Sequence, residues 1–439
     1  MLRVPISQAK PGMTLALPVH HPKAASGTIL LRAEVELSEN TITRLQDMHI
    51  PEIWIRYPNM ELVKQYINPH VFESRAAVAS DVASAFDAAS KEAHAKLDFT
   101  QYRNSMTALM ERLLEDPKGA LFIGELVGSG HPAVRHGANV GFLAMLLGLK
   151  LGFYLLRERK YVPSRLAKDV TNLGVAGMLH DIGMTRLPDE VRERWRTTHD
   201  FEDEGWRKHV QLGYDWVQGS LGATAAAAVL HHHQHFDGTG FPKRKKLDGD
   251  YVELSGSDIH VFARIICVAD LFDRLSSPCA HIDDEPSPDP PRPVVRVLRM
   301  LMSPPYKDWI DPVVMRALIT VCPAYPPGTL VHLNTGQRAV VVDYDPTDPC
   351  RPVVHEILHF EDEQFGELID LREHPDIVIA ECSGIDVTSD NFYPKDKHQF
   401  DLRALSKRMI NAAHDYQDSE TDHPQIDTHK PDVSNQDAA

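Results

Sequence analysis

Two strongly apolar segments of this chain run directly into histidine and aspartate. The segment LGVAGMLHDIGMTRL (residues 173–187) reaches His180-Asp181, and the segment AAAAVLHHHQHFDGTGFP (residues 225–242) reaches three consecutive histidines. Imidazoles at the end of a buried helix are costly to desolvate unless something pairs with them. Metal coordination accounts for both segments. The alternatives are a glycine-terminated helix end with a polar pair for the first segment, and an exposed histidine patch for the second.

Three further residues interrupt helical patterns and are candidate ligands. His136 begins a long apolar helix, His209 lies on an amphipathic helix, and Asp270 interrupts the apolar run RIICVAD. Taken singly, each residue also fits a purely structural role: a helix-capping histidine, a satisfied surface histidine, and an aspartate paired with Arg264 or Arg274. Together with the two histidine segments they supply enough imidazoles and carboxylates for two ions.

Composition excludes several classes of function. The chain has 439 residues, 24 of them histidine, and a formal net charge of −16, which argues against broad binding to DNA or RNA because that needs a basic face. It does not argue against a small anionic substrate, since bound cations reverse the local field. The five cysteines are scattered, with none at CxxC spacing, which indicates a reducing compartment. With no signal peptide evident and no apolar stretch long enough to span a bilayer, we expect a cytoplasmic protein.

The pattern along the chain predicts a mainly α protein with a small domain at each end. Helical periodicity covers residues 136–151, 165–180, 202–218, 222–233, 264–275 and 294–302. Two alternating apolar runs around Asn334-Thr335-Gly336 predict a β-hairpin. We therefore expect five segments: an N-terminal α+β module (1–68), a helical linker (69–115), a metal-binding helical domain (116–325), a small β domain (326–385), and a helix and polar tail (386–439) that is disordered from about residue 410.

The order and spacing of the candidate ligands resemble those of the HD phosphohydrolase superfamily. The stretch HHHQHFDGTGFP is similar to the HHExxDGxGYP motif of its HD-GYP family, and RIICVADLFDRLSS (residues 264–277) is similar to RIxxVADxxDALTS. The resemblance covers residues 130–320, and the flanking segments PISQAKPGMTLALPV and PPGTLVHLNTGQRAVVVDYDP are similar to accessory regions of such proteins. It implies a helical HD-domain core.

The resemblance also implies an activity and a site. The activity is hydrolysis of the phosphodiester bonds of cyclic di-GMP, giving pGpG or GMP, by water activated between two divalent ions. His180 and Asp181 would be the catalytic pair, with Asp181 bridging the ions. The implied metal ligands are His136, His180, Asp181, His209, His232, His233 and Asp270. The implied substrate contacts are Arg186, Asp237, Gly238, Gly240, Phe241, Pro242, Arg264 and Asp273. Iron and manganese are the family's usual metals, and zinc, magnesium, nickel and cobalt stay open.

Four positions depart from the family's pattern. Met184 replaces the lysine of HDIGK, which removes a cation near the substrate phosphate and predicts a loss on the order of 100- to 1000-fold in rate unless Arg186 substitutes. Phe241 replaces the tyrosine of GYP, and Gln234 replaces the glutamate that follows the paired histidines. Pro132 stands where some members have a glutamate that completes a third metal site, so two metals are expected rather than three.

These departures leave two alternative functions open. One is a catalytically weak cyclic di-GMP sensor or signalling scaffold, and the other is an HD hydrolase acting on another nucleotide. The seven retained ligand positions favour the enzyme. The expected partners are a cyclic dinucleotide and either a second copy of the chain or a signalling protein. The basic run at residues 243–246 is either a solvated loop or a guide for an anionic dinucleotide.

Overall fold

The protein is mainly helical, with an antiparallel sheet near its C-terminus, which confirms the predicted fold class. The computed structural model describes residues 1–20, 29–48, 50, 52–92, 96–121, 132–246, 248–276, 291–360 and 364–420. The part of the polar tail beyond residue 420 lies outside the described residues. Within the described ranges, no single helix combines the length and apolarity of a membrane span, although the bent pair Pro132–Lys150 and Gly152–Glu158 meets both criteria jointly.

The N-terminal region consists of short strands and two helices. Its elements are β1 (Leu2–Pro5), β2 (Val19–His20), β3 (Ile29–Leu31), α1 (Glu39–Asp47), β4 (Glu52–Ile55) and α2 (Glu61–Lys64). The strands β1 and β4 pair antiparallel, with Leu2 opposite Ile55. Helix α1 begins at its N-cap Ser38, whose side chain accepts a hydrogen bond from the backbone N–H of Thr41.

The helical region follows and contains most of the buried apolar residues. Its elements are α3 (Pro69–Lys91), α4 (Phe99–Glu115), α5 (Pro132–Lys150), α6 (Gly152–Glu158), α7 (Ser164–Ala167), α8 (Thr171–Leu179), α9 (Asp189–Thr198), α10 (Glu204–Arg207), α11 (His209–Val217), α12 (Ala223–His231), β5 (Arg244–Lys245), β6 (Tyr251–Val252), α13 (Val261–Ser276), α14 (Val294–Leu301), α15 (Tyr306–Trp309) and α16 (Pro312–Val321). Helix α5 packs against α3, α8 and α13, and α12 packs against α8, α11 and α13. The predicted ligands are carried on or directly after α5, α8, α11, α12 and α13.

The C-terminal sheet lies between the two other regions. Its elements are β7 (Leu330–Leu333), β8 (Arg338–Asp343), β9 (Val353–His359), β10 (Gln364–Asp370), β11 (Ile379–Cys382) and β12 (Ile385–Asp386), and helix α17 (Leu402–Glu420) follows. The antiparallel pairing of β7 with β8 confirms the predicted hairpin. Side chains alternate along β8, so Val340 and Val342 join the core of the N-terminal strands, while Ala339 and Val341 join the core of the helices. The division of the chain into five domains stays a prediction.

Candidate metal centre

The end of α8 carries His180 and Asp181 into the interior. Eight of the nine residues of α8 are buried, and a 3-10 turn over Ile182–Arg186 follows. Inside that turn a Cβ atom on Gly183 would lie 2.0 Å from the carbonyl oxygen of His209 and 2.5 Å from the backbone nitrogen of Gly213, so the close approach of α11 requires glycine. This approach brings His209 Nε2 to 3.5 Å from Asp181 Oδ1.

Three of the predicted histidine ligands are oriented in the same way. Each ring is bonded through Nδ1 to the carbonyl oxygen three residues earlier in its own helix or turn. These contacts, all 2.7 Å, join His180 to Gly177, His209 to Trp206, and His232 to Val229. Because a carbonyl oxygen only accepts, Nδ1 must donate, and in the neutral ring the lone pair is then on Nε2. Such a bond fixes the tautomer that a metal ligand needs.

The first group of ligand atoms, which we call the three-histidine site, comprises Asp181, His209, His232 and His233. Their ligand atoms all lie within 4.8 Å of one another. Asp181 Oδ1 and the Nε2 atoms of the three histidines are buried and have no hydrogen-bond partner among the described residues. Burial lowers the pKa of His209 to about 3 and the pKa of His233 well below its ordinary value, so both rings are neutral at neutral pH. Four unpartnered buried atoms of this kind fit a bound cation, which would satisfy all of them.

The second group, which we call the carboxylate site, comprises His136, His180 and Asp270. Their ligand atoms also lie within 4.8 Å of one another. His136 Nε2 lies 3.0 Å from Asp270 Oδ1 and 3.2 Å from His180 Nε2. Burial lowers the pKa of His136, but the hydrogen bonds with Asp270 and with Asp273 outweigh it and raise this pKa to about 9. The imidazole and carboxylate donors, without a thiolate, suit iron, manganese or zinc.

Asp181 stands between the two sites. Its Oδ1 faces His209 and His232 at 3.5 and 3.6 Å, and its Oδ2 lies 3.5 Å from His180 Nε2 and 3.8 Å from His136 Nε2. Burial by itself raises the pKa of this carboxyl, but the neighbouring His180 and Arg274 outweigh it and hold the pKa well below its usual range. The carboxylate is therefore ionised, with one oxygen directed toward each group.

The predicted substrate contacts between Asp237 and Pro242 form a tight turn beside the three-histidine site. Asp237 Oδ1 accepts hydrogen bonds from the backbone and hydroxyl of Thr239, and Gly238 has a φ of +91°. A Cβ atom on Gly240 would lie 2.3 Å from the carbonyl oxygen of His233, so glycine lets the turn close against the histidines. The ring of Phe241 stacks on the imidazole of His233, with centroids 4.8 Å apart.

Met184, at the position of the motif's lysine, and the nearby Arg186 lie in different surroundings. Met184 is 2% exposed and belongs to an apolar cluster with Leu187, Trp195 and Trp206, against which Phe241 packs. Arg186 is half-buried, and its guanidinium lies over the ring of Trp216 at 4.2 Å. It also donates a hydrogen bond to the backbone carbonyl of Glu92, the C-cap residue of α3. Position 184 thus faces apolar rings rather than water, and Arg186 is held on α11 and α3.

Arg264 and Asp273 were also predicted to touch substrate, and both are buried. Arg264 forms ion pairs with Glu158 and Asp311, the latter at 2.6 Å, so its guanidinium is already fully engaged. Asp273 Oδ2 accepts from His136 Nδ1 at 2.7 Å, and its Oδ1 accepts from Asn139 at 2.8 Å. The position of Asp273 is that of an outer partner that orients His136.

Three residues that contact the ligands or their supports were not predicted from the sequence in that role. Arg274 was predicted only as a partner of Asp270, yet it also bonds Asp181. Asn139 supports Asp273, and Trp206 packs against the rings of His209 and His233 at 4.7 and 5.1 Å. Two of these left a signal in the sequence: Arg274 stands where the HD-GYP motif has alanine, and Asn139 is a polar residue in the apolar run of α5.

Comparisons with known proteins match two parts of the chain. A family model described as "HD domain" matches residues 163–283, and one described as "KOW domain associated with HD domain" matches residues 330–390. A curated cyclic di-GMP phosphodiesterase of Pseudomonas aeruginosa is 28% identical over 233 residues, which are 53% of this chain and 49% of that protein. The cyclic di-GMP phosphodiesterase response regulator RpfG of Xanthomonas campestris is 34% identical over 113 residues, which are 25% of this chain and 28% of that protein.

A third relative differs in its named substrate. The 3'3'-cGAMP-specific phosphodiesterase 2 of Vibrio cholerae is 31% identical over 111 residues, which are 25% of this chain and 20% of that protein. The chain spans about half the length of the first of these relatives and less of the others.

Proposed function

We propose that the chain is a metal-dependent phosphodiesterase whose substrate is cyclic di-GMP. The match to an HD domain over residues 163–283 and the similarity to a curated cyclic di-GMP phosphodiesterase support the proposal. The observation that carries the proposal is the position of Asp181, which directs one oxygen to the three-histidine site and the other to the carboxylate site. Two ligand sets on either side of one carboxylate could hold two ions close together, as a two-metal hydrolase needs. Iron or manganese at both sites is part of the proposal.

The ions, when bound, would supply the Lewis acidity that activates water and offsets the charge of a phosphate. The chain's own residues hold the ligands in place. The Nδ1–carbonyl bonds keep the rings of His180, His209 and His232 in the ligand tautomer, and Asp273 does the same for His136 through Nδ1. Trp206, which is 1% exposed, covers one side of the three-histidine site and keeps water from it.

The nucleotide would lie against the turn at Asp237–Pro242. The half-buried Phe241 offers a ring on which a base can stack, a contact worth roughly 1–3 kcal/mol per base. Beyond this turn Arg244, Lys245 and Lys246 are exposed, whereas Lys243 is paired with Glu253 at 2.9 Å. This basic run would attract an anionic dinucleotide to an otherwise acidic protein.

One observation favours the alternative of a cyclic di-GMP sensor that does not turn over its ligand. Met184, at the position of the motif's lysine, is enclosed by Leu187, Trp195 and Trp206. No cation can reach the phosphate from an apolar cluster of this kind without leaving it. The sensor therefore remains the second candidate, and hydrolysis of 3'3'-cGAMP, named for one relative, is the third.

The test is hydrolysis by the anaerobically purified protein, with metal content measured per chain. The protein is incubated with cyclic di-GMP or with 3'3'-cGAMP, and the linear products are separated by chromatography. Turnover of cyclic di-GMP is expected, and Asp181→Ala should abolish it because both sites lose an oxygen ligand. Tight binding of cyclic di-GMP without turnover at full metal loading supports the sensor, and turnover of the other dinucleotide alone supports the third candidate.

A matched control lies on α11. Asp215 is exposed and accepts a hydrogen bond from Gln211 at 2.8 Å on the outer face of the helix that begins at His209. Asp215→Ala removes the same group as Asp181→Ala without touching either site. Equal loss of activity in both variants would mean that the effect comes from folding rather than from the metal centre.

A further inference from the structure

The two sites of the centre differ in how their polar atoms are satisfied. In the three-histidine site, four buried ligand atoms have no hydrogen-bond partner within the described ranges of the chain: Asp181 Oδ1 and the Nε2 atoms of His209, His232 and His233. The atoms of the carboxylate site are paired within the chain. His136 Nε2 lies 3.0 Å from Asp270 Oδ1, and the same carboxylate oxygen accepts a hydrogen bond from Arg274 Nε at 2.5 Å. The buried ligand atoms of the three-histidine site therefore need a bound cation to satisfy them, whereas those of the carboxylate site do not.

Arg274 brings a guanidinium to the carboxylate site. It lies one turn after Asp270 on α13, and its side chain is 8% exposed. Its Nε contacts Asp270 Oδ1, and its Nη2 contacts Asp181 Oδ2 at 2.8 Å. These are the two oxygens that face His136 and His180. The guanidinium thus pairs both carboxylates on the side where an ion in the carboxylate site would take them.

The positive charge of this side chain is permanent. A guanidinium does not lose its proton in proteins, so the charge cannot be switched off by burial as it can for lysine. An ion held by His136, His180 and Asp270, close to Asp181, would draw on the carboxylates that Arg274 contacts, and two cations close together in a buried site repel each other strongly. The HD-GYP motif has alanine at this position, so the competing charge is a property of this chain.

We infer that Arg274 is an internal cation that competes with metal for the carboxylate site, so that the centre fills in order. The first ion binds at the three-histidine site, whose four ligand atoms have no hydrogen-bond partner among the described residues. The second ion binds at the carboxylate site only when the guanidinium leaves Asp270 and Asp181. This inference rests on the metal centre of the proposed function, but it concerns the binding of ions and does not require turnover.

The test is a titration of the metal-free 439-residue chain with Mn²⁺ alone. Free Mn²⁺ is measured by electron paramagnetic resonance, and the heat of binding is measured by calorimetry. The wild type should bind two ions with dissociation constants that differ by at least about 10-fold, because the second must break a buried ion pair. In Arg274→Ala the second ion should bind at least about 10-fold more tightly than in the wild type, while the first binds as before. Arg274→Gln, neutral and closer in size, is measured beside it in case the smaller side chain impairs folding.

Two further variants separate charge from structure. Arg274→Lys keeps a cation, so its second ion should bind more weakly than in Arg274→Ala. Arg296→Ala breaks an arginine–aspartate pair with Asp390 (2.9 Å) outside the cluster and should leave both constants unchanged.

The inference is wrong if the wild type binds both ions equally well, or if neither neutral variant strengthens the second ion. A protein that loads unequally but hydrolyses nothing supports the inference and contradicts the proposed function. A protein that hydrolyses cyclic di-GMP but binds both ions equally well supports the proposed function and contradicts the inference. A protein that binds no Mn²⁺ contradicts both.

Discussion

The three-histidine site and the carboxylate site are built from the same residue types and share Asp181, yet they reach opposite electrostatic states. Around the first, three buried imidazoles and one carboxylate oxygen converge, and none of these ligand atoms has a hydrogen-bond partner in the part of the chain that the structure describes. Around the second, Arg274 pairs the oxygens of Asp270 and Asp181. Two sets of ligands of the same types therefore need not bind metal equally well. A positively charged side chain placed among the ligands weakens the binding of an ion there.

The largest effect is expected from removing a ligand of the three-histidine site. His209→Ala should weaken binding of the first ion by more than about 100-fold, beyond what loss of an outer partner costs. His136→Ala, which takes an imidazole from the carboxylate site, should leave the first ion in place. Titration with Mn²⁺ and metal analysis measure both. Equal losses of the first ion in the two variants would mean that the sites are not separable.

A second prediction concerns the apolar cluster that flanks the three-histidine site. Met184→Lys restores the residue of the family motif but places a charge among Leu187, Trp195 and Trp206. We expect it to lower the free energy of unfolding by on the order of 3 kcal/mol and not to restore a phosphate contact. Met184→Leu, which keeps an apolar side chain of similar volume, should cost less than about 1.5 kcal/mol. Chemical denaturation compares them, and a stable, more active lysine variant would contradict this view of position 184.

The third prediction concerns Asp273, which supports a ligand of the carboxylate site. Asp273→Asn removes the charge that holds the ring of His136 through its 2.7 Å contact with Nδ1, but it touches no atom of the three-histidine site. The second ion should bind about 10- to 100-fold more weakly, and the first should be unaffected. The same titration gives both constants. A loss at the first ion would show that Asp273 supports the whole cluster rather than one site.

The smallest effect is expected at the start of α10, which positions Trp206 and, after it, His209. Asp203 accepts hydrogen bonds from the backbone of Gly205 and Trp206 at 2.7 and 3.2 Å and pairs with Arg194. Asp203→Ala should lower the free energy of unfolding by about 1 kcal/mol, as loss of an N-cap does. Thermal denaturation measures it, with Asp215→Ala on α11 as the neutral comparison. An effect no larger than that of Asp215→Ala would mean that the cap is dispensable.

Much of the fold could be predicted because periodicity and turn residues are local signals. The histidine-terminated segments are α8 and α12, and the hairpin around Gly336 is β7 and β8. Other boundaries were missed for a physical reason. The expected helix over residues 202–218 is two helices, α10 and α11, divided at Lys208, so that His209 begins the second and can reach Asp181. Apolar spacing does not reveal such a break, because the buried positions Trp206, Val210, Gly213 and Val217 keep helical spacing across it.

The sequence by itself determined which side chains could bind metal, since histidine and aspartate at the ends of apolar helices need partners wherever the chain folds. The tertiary structure alone decided how those side chains are grouped. Residues far apart in the chain, such as His136 and Asp273, become neighbours only when α5 and α13 pack together. It also decided the electrostatics of the centre, because the guanidinium of Arg274 contacts two carboxylates that only the fold brings within its reach. Burial strengthens this interaction because water screens it less.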